Sequence, residues 1–172
     1  MKQLLKYILS QTLEHQKIAE TKHGVGIALT SGFAVIVINF VGSENAFIKS
    51  SSIISLVFCI LSLAMSFMAV GSKLIKVKEK LKEKEIVNYI YFNDIKNFSP
   101  LQYLDELSIA YDFPKGYIPD SFEIDLAKTI ISISQRTAAK YKLFNISIAL
   151  LFASIILLFV FCLVGGIYGI QL

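Results

Sequence analysis

Hydrophobic residues in this chain are concentrated in three long runs that contain no charged residue. The runs cover residues 24–43, 50–72 and 143–172. Each reaches the roughly 20 residues that an α-helix needs to cross a hydrocarbon layer of about 30 Å. No segment alternates convincingly between polar and apolar residues with a period of two, so a sheet is not expected. The pattern predicts an all-α membrane protein with three transmembrane helices.

The hydrophobic runs divide the chain into six predicted segments. In order, these are a cytosolic N-terminal amphipathic helix at 1–23, transmembrane helix 1 at 24–42, an external loop at 43–49, transmembrane helix 2 at 50–72, a cytosolic helical module at 73–142 and transmembrane helix 3 at 143–168. Hydrophobic residues make up 55% of the 172 residues and charged residues 17%, which leaves too few polar residues to cover three buried helices of a soluble protein.

The distribution of basic residues predicts the orientation in the membrane. Of the 17 Lys and Arg residues, four precede the first run, Lys49 alone lies between the first and second runs, and twelve lie between residues 73 and 142. Cytoplasmic loops retain the excess of basic residues, so the N-terminus and the 73–142 segment are predicted to be cytosolic and the C-terminus external. The lysines that directly follow the second run indicate a topology anchor or, alternatively, a contact with anionic lipid.

Helix-start signals organise the 73–142 segment. Ser99 is followed by proline at the first helical position and by Gln102, and Asp120 is followed by Glu123 three residues later, so both sites are typical of helix N-termini. The segment 112–116 between the two helices has the composition of a turn. No Gly or Pro interrupts residues 122–164, so the second helix is predicted to continue into the third span.

The membrane runs contain few polar features. Small residues repeat at four-residue spacing at Gly24, Ala28 and Gly32 and at Ser62 and Ser66, which favours close helix packing within one copy or between copies. Asn39 lies near the predicted outer interface, and no run contains Asp, Glu, Lys, Arg or His. Since ion-coupled transporters usually keep such groups at membrane depth, a transporter is disfavoured.

An aromatic and polar segment in the 73–142 module is the candidate ligand site. Tyr91 and Phe92 could stack on a nucleobase, Asn93 or Asp94 could read its hydrogen-bonding edge, and Arg136 with Lys140 could meet a phosphate. The alternative is an aromatic hinge packed against the neighbouring helices. A glycine-rich phosphate loop, a nucleophile beside a base and a metal-ligand cluster are all lacking, so catalytic residues, metals and cofactors are not expected.

With these segments in place, the sequence resembles the Pycsar effector transmembrane family, the PycTM-like proteins of bacterial antiphage defence. The resemblance covers nearly the whole chain. Its motifs are Ala19-Glu20-Thr21-Lys22, Tyr91-Phe92-Asn93-Asp94-Ile95 followed by Ser99-Pro100 and Tyr103-Leu104, and Glu123-Ile124-Asp125-Leu126-Ala127 continuing through Ile130 to Ala139-Lys140-Tyr141-Lys142.

The resemblance implies a cell-killing effector rather than an enzyme. A paired cyclase would supply cCMP or cUMP upon phage infection, and the effector would sense it with the 73–142 module and impair the bacterial inner membrane. The candidate ligand-binding residues in this sequence are Tyr91, Phe92, Asn93, Asp94, Tyr103, Arg136 and Lys140. The lipid bilayer, the cyclic nucleotide and further copies of the chain are the expected partners, and a nucleic acid polymer is not. A membrane-anchored scaffold that binds a protein partner and a small oligomeric channel remain as alternatives.

Overall fold

The structure is a computed structural model that describes residues 1–71 and 87–167, with side chains described through residue 164. The described residues form five helices and no strand, which confirms the all-α class. The helices are α1 (Lys2–Val41), α2 (Ala46–Val70), α3 (Phe92–Ile95), α4 (Pro100–Ala110) and α5 (Ser121–Ile167). The lysine-rich segment directly after the second hydrophobic run lies outside the described residues.

Three of these helices fit the predicted membrane spans. Each of α1, α2 and α5 contains an apolar stretch that is long enough to cross a bilayer. The chain is therefore a multi-pass membrane protein. Helix α1 starts at Lys2 and has no break at the predicted boundary between residues 23 and 24, and α5 is likewise unbroken from Ser121 to Ile167.

The predicted helix starts are confirmed by hydrogen bonds. The Ser99 hydroxyl accepts from the backbone N–H of Gln102, and Pro100 occupies the first helical position of α4. At α5, Asp120 Oδ1 accepts from the Glu123 N–H at 2.9 Å, and Glu123 Oε2 accepts from the Asp120 N–H at 3.1 Å. This reciprocal pair satisfies backbone donors that the first helical turn cannot use.

The contacts divide the chain into two compact units. Unit 1 comprises residues 1–20 and 72–141, and unit 2 comprises residues 21–71 and 142–172. The core of unit 1 consists mainly of large apolar side chains from α1, α3, α4 and α5. Its buried members are Leu5, Ile8, Ile95, Phe98, Tyr103, Leu104, Leu107, Ala127, Ile130 and Ile131. Unit 1 thus includes the N-terminal part of α1, which the sequence assigned to a separate amphipathic helix.

The small-residue motifs on α1 and α2 differ in their burial within unit 2. Ser62 and Ser66 on α2 are buried and hydrogen-bonded to Ser147 on α5, so they serve packing within one copy. By contrast, Gly24 and Gly32 on α1 are exposed, and a Cβ atom built on either would meet no atom within 4 Å. Helix α1 packs in unit 2 through the opposite face, where Val37 is fully buried.

Candidate functional site

Local hydrogen bonds fix the shape of the segment that leads into α3. Asn88 Oδ1 accepts from the backbone N–H groups of Ile90 and Tyr91, and Asp94 Oδ2 accepts from the Asn88 N–H at 3.1 Å. Asparagine and aspartate commonly stabilise turns in this way. Asp94 is 8% exposed, so its carboxylate stabilises this turn from a buried position.

Four rings, from α1, α3, α5 and the residue that caps the start of α3, form an aromatic cluster within unit 1. Phe92 on α3 stacks on Tyr141 of α5, with ring centroids 5.2 Å apart and an interplanar angle of 13°. His15 of α1 lies 5.3 Å from Phe92 and 6.1 Å from Tyr91. We call His15, Tyr91, Phe92 and Tyr141 the aromatic cluster. Burial raises the pKa of the Tyr141 phenol, and Tyr91 is the exposed member of the cluster.

Lys140 is a buried cation in α5 and directly precedes Tyr141 of the aromatic cluster in the sequence. Lys140 is 6% exposed, and its ammonium group donates to the carboxylate of Glu20 on α1. The hydrogen bond from Lys140, followed by one from Gln16, holds the pKa of Glu20 below its usual value. A buried ammonium requires such a partner, since its desolvation is otherwise costly. The pair therefore joins α1 to α5 inside unit 1.

A second polar link joins α3 to α5. The side-chain amide of Gln135 donates to the Lys96 carbonyl at 3.2 Å, and Lys96 Nζ donates to Asn93 Oδ1 at 2.6 Å. Asn93 is thereby oriented at the half-buried edge of the turn. Contacts of this kind set the position of α3 on the long helix.

The predicted ligand residues fall into three groups in the structure. Tyr91 and Arg136 are exposed and Asn93 is half-buried, whereas Phe92, Asp94 and Lys140 are buried. Tyr103 lies apart from them in the core of unit 1, where it is fully buried and its hydroxyl donates to the Tyr89 carbonyl at 2.6 Å. That burial also raises the pKa of Tyr103.

Sequence reasoning did not assign roles to several residues that complete this region. These are His15, Glu20, Gln135 and Tyr141. Glu20 and Tyr141 lie within the motifs that carry the family resemblance, so the motifs contained a signal for both. No sequence signal identified His15 or Gln135, because their contacts depend on how α1, α3 and α5 pack. Among the described residues, no group of three His, Cys, Asp or Glu side chains could hold a metal ion.

The ion pair predicts a dependence of stability on pH. Glu20 has a lowered pKa in the folded protein, so its contribution is fully present above its ordinary value of 4.5 and is lost as the pH falls through the folded value. We expect the melting temperature of the detergent-solubilised protein to fall more steeply below about pH 5 than that of Glu20→Gln. Glu14→Gln, at an exposed position of the same helix, serves as the control. Identical pH profiles for wild type and Glu20→Gln would contradict the assignment.

Comparison with known proteins identifies the family. The family model described as the Pycsar effector protein domain matches residues 4–166, which include most of both units. No curated protein and no solved structure matches the chain. The family is one of antiphage-defence effectors and is not a known enzyme family. By this match across nearly its whole length, the chain belongs to the Pycsar effector family of membrane proteins.

Proposed function

We propose that this chain senses a cyclic pyrimidine mononucleotide, cCMP or cUMP, through unit 1 and then impairs the integrity of the bacterial inner membrane, causing abortive infection. The observation that carries the proposal is the match to the Pycsar effector domain over residues 4–166. In the proposed orientation the N-terminus and unit 1 are cytosolic and the C-terminus is external, as the distribution of basic residues predicts.

The exposed and half-buried members of the predicted ligand set are compatible with a small planar anion as the ligand. Tyr91 presents an exposed ring on which a base could stack. Asn93 could read the edge of that base, with Asp94 holding the turn beneath it. Arg136 is exposed, and among the described residues it makes no hydrogen bond or ion pair, so its guanidinium is available to a phosphate.

Lys140 has a different role in this proposal. Because it is buried and paired with Glu20, a phosphate would have to displace that carboxylate to reach it. We therefore assign Lys140 and Phe92 to positioning the site and Tyr91, Asn93 and Arg136 to ligand contact. Tyr103 supports the core.

Continuous helices supply a route from binding to the membrane. A ligand shifts a conformational equilibrium only by its difference in affinity for the two states. Helices α1 and α5 contribute His15 and Tyr141 to the aromatic cluster, and each continues without a break into unit 2. A nucleotide that prefers one arrangement of these helices in unit 1 would change the equilibrium of the same helices in the bilayer.

Dye release from liposomes tests the proposed function. We expect cCMP or cUMP to release dye from vesicles that contain the purified protein, while purine cyclic nucleotides do not. Arg136→Gln should shift the half-effective nucleotide concentration upward by roughly 10- to 100-fold, since a hydrogen bond to a charged group contributes about 1.5–3 kcal/mol. Isothermal titration in detergent measures the same change in affinity.

Lys128→Gln is the matched control, because Lys128 is an exposed cation on the same helix that pairs with Asp125 at 3.1 Å. It should leave the dose response unchanged. If no cyclic mononucleotide binds the protein or releases dye, the proposed function is wrong. If wild type responds and Arg136→Gln responds equally, the phosphate contact lies elsewhere.

A further inference from the structure

The buried face of α2 in unit 2 consists of small, mostly polar side chains. Its buried residues are Ser51, Ser52, Ser55, Cys59, Ser62, Ser66 and Ala69. No large apolar side chain of α2 is fully buried, and several, including Ile60, Phe67 and Val70, are more than half exposed. In a bilayer the apolar side chains face lipid, so what distinguishes this helix is the row of hydroxyl groups on its inner face.

Reciprocal hydrogen bonds join this row to α5. The Ser62 hydroxyl donates to the Ser147 carbonyl at 2.8 Å, and the Ser147 hydroxyl donates to the Ser62 carbonyl at 2.9 Å. Ser55 and Ser154 form the same kind of pair, at 3.1 and 2.8 Å. Residue numbers rise along α2 as those of their α5 partners fall, so the two helices are antiparallel at this contact.

Further polar contacts connect the two serine pairs into one structure. Ser66 Oγ lies 2.8 Å from Ser147 Oγ, Thr30 Oγ1 of α1 lies 3.3 Å from Ser62 Oγ, and Cys59 Sγ lies 3.3 Å from Ser154 Oγ. The hydroxyl seam is defined as Thr30, Ser55, Cys59, Ser62, Ser66, Ser147 and Ser154. From Ser55 to Ser66 it extends over twelve residues of α2. The rise between the two serines is about 16 Å, roughly half the hydrocarbon thickness.

Two leucines interrupt the polar surface of α5. Leu151 and Leu158 are 6% and 7% exposed and alternate with Ser147 and Ser154 at spacings of four and three residues. Apolar constrictions exclude water from an otherwise polar passage. Leu151 and Leu158 therefore place buried apolar side chains between the polar groups of the hydroxyl seam.

The seam can open without leaving its hydroxyl groups unsatisfied. A serine or threonine in a helix can donate to the carbonyl four residues earlier, as Ser52 does to Ile48 and Thr30 does to Gly26. Ser62 and Ser147 could exchange their interhelical bonds for such bonds within their own helices. The freed carbonyl and hydroxyl groups would then be available to form hydrogen bonds with water. A contact made only of apolar side chains would have no such groups.

We propose that in the leaking state α2 and α5 separate along the hydroxyl seam, and that water, ions and small polar solutes such as a dye then pass along its hydroxyl groups. This inference depends on the proposed function, since it identifies the surface through which the membrane would lose its integrity. The predicted spans 24–42, 50–72 and 143–168 contain no Asp, Glu, Lys, Arg or His. The leak should therefore carry K⁺ and Cl⁻ with little discrimination between them.

The native thiol of Cys59 reports directly on wetting of the seam. Cys59 is fully buried, so a charged thiol reagent dissolved in water can reach it only when the seam opens. In liposomes containing Cys162→Ala, we expect cCMP or cUMP to raise the rate of Cys59 labelling by a charged methanethiosulfonate by roughly tenfold or more. Dye release is measured on the same samples. Dye release without faster labelling of Cys59 would contradict opening of the hydroxyl seam and leave the proposed function intact.

A second experiment uses no nucleotide, so it tests opening of the hydroxyl seam separately from nucleotide sensing. Leu151→Ser in the Cys162→Ala background should release dye and expose Cys59 without any ligand, because it replaces an apolar constriction by a hydroxyl. Leu61→Ser is the control, since Leu61 is 45% exposed on the outer face of α2 next to Ser62. It should neither leak nor label.

The two arms have distinct outcomes. If Leu151→Ser leaks and labels while wild type ignores every nucleotide, the seam is supported and the sensing proposal fails. If Leu151→Ser inserts as a folded protein, shown by a wild-type gel-filtration profile, and still neither leaks nor labels, the seam proposal is wrong. Equal leakage from Leu61→Ser would also overturn it, since a polar group anywhere in the span would then have the same effect.

Discussion

A disulfide between residues 62 and 147 is expected to abolish nucleotide-induced leakage. The hydroxyl oxygens of Ser62 and Ser147 lie 2.9 Å apart in the buried contact of α2 with α5. Sulfur atoms at these positions need approach only to about 2.05 Å to form a bond. The bond would fix the two helices in the closed arrangement. Dye release from oxidised Ser62→Cys/Ser147→Cys protein in a Cys59→Ala/Cys162→Ala background should fall to the background rate.

The reductant supplies the internal control for this experiment. Dithiothreitol should restore release from the same liposomes, and each single cysteine variant should leak whether or not it has been oxidised. The oxidised protein should still bind the nucleotide in detergent, but with weaker affinity, because the disulfide holds the closed arrangement against the one that the nucleotide prefers. Leakage that persists while the disulfide is shown to be complete would mean that this contact does not open.

Truncation of Ile8 is expected to have the second large effect, on the stability of unit 1. Ile8 is fully buried in the same core as Leu104 and Leu107, although it lies far from them in sequence. Replacing a buried isoleucine by alanine typically costs about 2–5 kcal/mol, because apolar burial is lost and a cavity remains. Since each 1.4 kcal/mol is a factor of about ten, amide protection in α4 should fall by roughly 30-fold or more.

Hydrogen exchange with mass spectrometry on the detergent-solubilised protein measures this change. Ile18→Ala is the matched control, because Ile18 is on the same helix and is 41% exposed. Its effect on α4 protection should be several-fold at most, as is usual for surface substitutions. If Ile8→Ala leaves α4 as protected as in wild type, the N-terminal part of α1 is not a structural part of unit 1.

Short-range features of this protein were predictable from the sequence. Charge-free runs indicated three spans because no other environment accommodates such lengths of apolar helix. The caps at Ser99 and Asp120 depend on residues at most three positions apart, so their local chemistry identified both helix starts. The turn between them was likewise readable, and Gly116 in it has a positive φ of 80°.

The candidate site was predictable only in part. Tyr91, Phe92, Asn93 and Asp94 are adjacent in sequence, so one motif identified them together. The pairing of Lys140 with Glu20 joins residues separated by 120 positions, and nothing in either local sequence indicates that the lysine is buried. Tyr103 was predicted as a ligand residue, but the tertiary packing of α4 places it in the core.

Sequence alone determined that this chain is helical, that it has three apolar spans and where α4 and α5 begin, because each property depends on residues close together in the chain. Only the tertiary structure decided which small-residue motif packs inside one copy. Ser62 and Ser66 meet Ser147, whereas Gly24 and Gly32 face outward, and both motifs have the same four-residue spacing. Spacing identifies a helix face, but the partner of that face depends on the positions of the other helices.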